Sequence, residues 1–307
     1  MRILAIGAGL FGLMIASPAL AADAGQQMMA QNTYDGGAVA SQDSLLGAAP
    51  AGNGYAVLRQ ATLNAENNVS VNISALHFQY HENATEGTGD DENGFAPGFG
   101  ISASVLLPQR GLPTDYYAGL MYDFSAGNLT YGGHYLQSGL PATATDRAVL
   151  NRVEARLGVG VPLIGGAELI PFAAFGYQAW NRNDDLKGAI GSDELYTSGL
   201  AGAGLKLDLP VSPVLVLSGT AEMLALIGAN VDNDGFGLSH SMGISGEERV
   251  TLGLDYAVHG ALHVTAAGYY EHFNYAGFRP SAATYYLYEP LSTTTQVGAN
   301  VGVAYSF

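Results

Sequence analysis

The side chains in this sequence best suited to chemistry are its histidines. His77, His81, His134, His240, His263 and His272 fall in or beside segments with strand-like patterning, and Glu82, Ser239, Ser241 and Glu271 adjoin some of them. A hydrolase would need one such imidazole held by an acid and aimed at a hydroxyl or a water. Sequence neighbours on a strand point to opposite faces, so Glu271 and His272 make a poor pair. No catalytic residue is assigned, and the chain is not expected to be an enzyme. Two acidic runs, Asp232-Asn233-Asp234-Gly235 and Gly89-Asp90-Asp91-Glu92, carry some of the oxygen ligands of a calcium loop. Neither has the distant Glu that completes an EF-hand, and a solvated acidic loop is the simpler reading. Neither a metal nor a cofactor is expected. With no cysteine, the chain has no thiolate ligands, thiol redox chemistry or disulfides.

A second set of residues could act electrostatically. Asp115, Asp123, Arg152, Glu154, Arg156, Lys206, Glu222, Arg249, Asp255 and Glu271 share the polar parity of segments whose other parity is largely apolar. Charges of both signs on one face of several strands could line a polar pathway and select solutes. They could also pair across a narrow interior and close it.

The elements that must position these charges alternate with a period of two near residues 69–81, 98–107, 115–124, 149–161, 169–180, 195–207, 214–227, 249–258, 262–275 and 293–307. In the fourth, Val153, Ala155, Leu157 and Val159 oppose Arg152, Glu154, Arg156 and Gly158. The fifth is apolar on both parities, which leaves its facing open. In the first, the alternation slips near Ala75, which predicts a bulge before Leu76, Phe78 and Tyr80 resume the outward set. Residues 214–231 are apolar enough for a spanning helix. Glu222 at the centre of such a helix would cost on the order of a few kcal/mol in lipid, whereas on a strand it faces inward. Residues 127–148 read as a long excursion in which 129–136 extends the wall, and residues 228–247 read as a long loop.

The last segment is the most regular. Thr295, Val297, Ala299, Val301, Val303, Tyr305 and Phe307 alternate with Gln296, Gly298, Asn300, Gly302, Ala304 and Ser306 to the end of the chain. Through Val301, Val303, Tyr305 and Phe307 the chain resembles the outer-membrane β-barrels of Gram-negative bacteria, whose last strand ends in Phe after alternating apolar residues. The resemblance implies an all-β fold, a single transmembrane antiparallel up-and-down barrel. Ten strands are expected, or twelve if residues 55–66 and 129–136 both count. It also implies contact with outer-membrane lipid and lipopolysaccharide, and recognition of the closing strand by the barrel-assembly machinery.

Composition agrees with this. The 42 glycines and 18 tyrosines suit tightly paired strands with aromatic girdles. The balance of 27 acids against 11 Lys plus Arg, net −16, argues against nucleic-acid binding and against a basic membrane-surface helix. Residues 1–21 read as a signal peptide, with Arg2, an apolar run and the small-residue site Ala19-Leu20-Ala21. Residues 22–67 read as a flexible periplasmic leader or a plug in the lumen, and residues 68–307 as the barrel. Tyr285, Tyr286 and Tyr288 mark an aromatic loop suited to stacking on sugars or to folding over the mouth. The expected function is a narrow porin-like channel for small solutes. A filled structural or surface-interaction barrel is the alternative, and a hydrolase acting at the rim is a third reading.

Overall fold

Period-two patterning becomes strand through most of the chain. The computed structural model describes residues 53–83, 89–135, 138–183, 193–234, 237–277 and 289–307. Among these residues one α-helix, α1 (Asn53–Glu66), precedes eleven strands: β1 (Asn68–Glu82), β2 (Asp91–Pro108), β3 (Asp115–His134), β4 (Pro141–Pro162), β5 (Glu168–Asn183), β6 (Asp193–Ser212), β7 (Leu215–Asn233), β8 (Leu238–Ser241), β9 (Ser245–His259), β10 (Leu262–Tyr275) and β11 (Ser292–Ser306). Neighbouring strands pair antiparallel, β7 pairs directly with β9, and β1 meets β11 from Asn68↔Ser306 to Glu82↔Ser292. The result is a closed barrel of ten strands, with β8 as a short addition on β7. Closure leaves no unpaired sheet edge, the condition for strands to cross a bilayer.

Several sequence expectations need correction. The stretch counted as an optional strand, Tyr55 to Glu66, lies in α1. Its Ala, Leu, Arg and Gln residues are good helix formers and only Val57 and Thr62 are β-branched. Residues 129–134 are not a separate strand but the upper part of β3, so the count is ten rather than twelve. Most of the two supposed excursions, 127–148 and 228–247, is likewise strand. No bulge occurs at Ala75, because β1 runs in unbroken register against both neighbours. Leu76, Phe78 and Tyr80 turn into the lumen instead, while Ala75, His77 and Gln79 face outward. The apolar parity changes sides here because this level of the interior is itself apolar. That also resolves β5, where Phe175 and Tyr177 face out and Ile170, Phe172, Ala174 and Trp180 face in. No helix among the described residues is long and apolar enough to cross a membrane, and residues 215–233 form β7.

The outer surface is divided by height. On β4 the outward parity reads Thr143, Thr145 and Arg147, then Val149, Val153, Leu157 and Val159 toward the short-turn end. Exposed Val69, Val71, Ile73, Leu120, Leu252, Val301 and Val303 continue this apolar belt around the barrel. Crossing the hydrocarbon takes about 9–11 tilted residues, and β4 has 22. Its surplus lies on the polar side, so the wall continues well past the belt at the end carrying the long connections.

Candidate functional site

All ten charges assigned to the lumen lie on the inward parity of their strands, and the structure sorts them into levels. At the short-turn end α1 sits in the mouth of the barrel. Arg59 from α1 pairs with Asp115 of β3 and, at 2.6 Å, with Glu168 of β5. Lys206 of β6 pairs with Glu66 of α1 and lies 3.7 Å from Asp208. Thr62 donates to the Gly166 carbonyl at 2.8 Å, and Ala61 and Ala65 pack on Val216. Gly166 has φ of 79°, and a Cβ there would collide with the α1 backbone, so a glycine is required where the turn passes under the helix. Asp255 and the buried His263 form a separate pair on β9 and β10.

The middle level is a belt of guanidinium and carboxylate groups. Arg152 meets Glu154 at 2.7 Å, Glu247 at 2.6 Å and Glu271 at 3.6 Å. Arg156 meets Glu154 at 2.6 Å and Glu222 at 2.9 Å, and its guanidinium stands 4.9 Å above the Phe172 ring. Arg249 lies 3.5 Å from Glu271 and 5.0 Å over Tyr269. In the closed strand order β10 is five steps from β4 in either direction, the greatest separation a ten-stranded barrel allows. The contact of Arg152 with Glu271 therefore spans the full diameter. Asp123 lies near Arg249 without forming a close pair among the described residues.

Above the belt the interior is aromatic. Trp180 of β5 stacks on Tyr196 of β6 at 5.1 Å and meets Phe78 of β1 at 5.0 Å. Tyr196 meets Tyr275 of β10 at 5.2 Å. Phe78 and Tyr196 are fully buried. Beyond these rings, Arg182 of β5 reaches Glu92 of β2, Glu194 of β6 at 2.9 Å and Glu82 of β1 at 3.7 Å. Glu289, just before β11, accepts from the Tyr196 hydroxyl at 2.7 Å, across the mouth. Burial, followed by the charges of Glu194 and Glu82, holds the Glu289 carboxyl well above the usual range for a glutamate.

Sequence reasoning missed Arg59, Glu66, Glu82, Glu92, Glu168, Arg182, Glu194, Asp208 and Glu247. Most lie just past the ends assigned to the segments. Extending the inward parity of β5 from Gln178 and Trp180 by one more step would have found Arg182. The histidines do not converge. His81 pairs with Asp91 at 2.5 Å on the outer face, and Glu82 points the other way into the lumen. Glu271 belongs to the belt, while His272 contacts Thr295 at 3.0 Å. Among the described residues no group of acids and histidines is arranged to hold a metal ion. The run Gly89 to Glu92 is described and leads into β2, where Glu92 pairs with Arg182, whereas Asp232 to Gly235 falls partly, and Tyr285, Tyr286 and Tyr288 wholly, outside the described residues.

No family model matches this sequence. No curated protein matches it either. Among solved structures, the outer membrane protease OmpT from Escherichia coli superimposes with a TM-score of 0.49 at 13% identity, covering 79% of this chain and 97% of that one. The transport unit of the autotransporter AIDA-I from Escherichia coli gives a TM-score of 0.44 at 12% identity, over 83% of this chain and 98% of that one. The translocator domain of the autotransporter NalP from Neisseria meningitidis gives 0.37 at 14% identity, over 83% and 96%. By its closed antiparallel sheet of ten strands, apolar outer belt and polar lumen, the chain has the fold of an outer-membrane β-barrel.

Proposed function

We propose that this barrel is closed to solutes and serves the cell envelope as a rigid wall presented above the outer leaflet. The observation that carries this reading is the contact of Arg152 with Glu271 across the full diameter, flanked by α1 on one side and the aromatic rings on the other. A narrow channel would need the space these side chains occupy. The wall above the belt bears polar and acidic residues, which suits contact with other surface molecules better than lipid. In this reading residues 1–21 direct export and are removed, the closing strand with Phe307 is read during assembly, and no catalytic step is assigned. Liposome swelling with small sugars tests the proposal. Swelling no faster than in protein-free vesicles supports a closed barrel, and solute entry that scales inversely with solute size refutes it.

A further inference from the structure

Between the belt and the aromatic rings the lumen keeps a cavity of about 60 Å³. Its charged lining is balanced: Arg152 and Arg249 face Asp123 and Glu271. The hydrogen-bonding groups are not balanced. Trp180 Nε1 and Arg249 Nη1 are buried donors with no hydrogen-bond partner among the described residues, and Trp180 is only 2% exposed. Gln178 adds an amide to the same wall and Tyr275 a hydroxyl. A buried donor left unpaired costs about 1–3 kcal/mol, so a wall that gathers several of them calls for acceptor oxygens from a guest. The balanced charge disfavours an ion of either sign. That volume is several times the ~10–15 Å³ that one water needs, room for a guest of a few non-hydrogen atoms.

We infer that this cavity is a binding site for a small neutral molecule with two hydroxyl or carbonyl oxygens. Its oxygens accept from Trp180 and Arg249, its hydroxyl protons go to Asp123 or Glu271, and its carbon atoms lie against the aromatic rings. Arg152, Arg249 and Glu271 of the belt line one side of the site.

Trp180 is the sole tryptophan and reports on the cavity directly. The folded full chain in detergent is titrated with ethylene glycol, with sodium formate and methylammonium chloride as charged controls at constant ionic strength, and Trp180 emission is followed. The expected result is a saturable change with ethylene glycol alone, at least fivefold weaker in Gln178→Leu, which removes the amide at nearly unchanged volume. Ser125→Val narrows the same cavity from β3 and serves if Gln178→Leu does not fold. A strictly linear response, equal saturation in a folded variant, or tighter binding of formate or methylammonium would overturn the assignment.

Discussion

Replacing Arg152 by methionine should expose how much of the barrel depends on its belt. The guanidinium is the close partner of Glu247 at 2.6 Å, shares Glu154 with Arg156, and shares Glu271 with Arg249. Methionine keeps the volume but leaves Glu247, whose side chain is wholly buried, with no cation in contact. Removing one partner of a buried pair costs about 3–5 kcal/mol, most of it the penalty of the stranded charge. The second change Glu247→Gln removes that charge, so Arg152→Met/Glu247→Gln should recover a large part of the loss and show strong coupling in a double-mutant cycle. Urea unfolding in detergent, followed by Trp180 emission and by heat-modifiable gel mobility, gives both numbers. A loss within about 0.5 kcal/mol for the single variant is what an exposed pair would give, and it would refute the belt as drawn. Simple addition of the two single losses would refute it equally.

Other perturbations test the two mouths and the closing strand. Arg59→Met strands Asp115 and Glu168 beneath α1, so amides of residues 53–66 should exchange hydrogen at least tenfold faster; unchanged protection would mean the ion pairs do not seat the helix. At the other mouth, Glu289 has a raised pKa when the mouth is closed. Its contribution is complete below about pH 4.5, where the open form is protonated too, and is lost as pH rises toward the closed-state value. The amides of Glu289, Leu291 and Ser292, corrected for intrinsic rates, should therefore be better protected in acid than at neutral pH, and Glu289→Gln should abolish the difference. Deleting Phe307 should lower the amount of barrel assembled in cells while leaving refolding in detergent intact; equal loss in both would assign Phe307 to stability alone.

The two faces of the wall were legible in the residues because alternation is a local property. Val153, Leu157 and Val159 against Arg152, Glu154 and Arg156 define two faces without any knowledge of the partner strands. The closing strand reads the same way. What was not legible depends on height within the barrel. Leu76, Phe78 and Tyr80 look like a continuation of the outward set until Trp180 and Tyr196 are known to occupy the same level of the lumen. Residues 127–148 lose their apolar parity because β3 and β4 leave the lipid, although pairing continues. Parity assigned ten charges to the inner face, but it does not give their partners. Arg152 and Glu271 lie 119 positions apart in the chain (271 − 152), and only the register of the four barrel strands between them on either side sets them face to face. Arg59 was hidden because α1 has neither strand parity nor a long apolar face.

Single-channel recording of the full chain in a planar bilayer addresses the central claim, a lumen filled across its diameter, most directly. The expected trace shows no steady conductance at moderate voltage for the intact barrel. Steady ohmic conductance whose ion selectivity shifts when Arg152 or Glu222 is neutralised would contradict the filled lumen and establish a charge-lined pore.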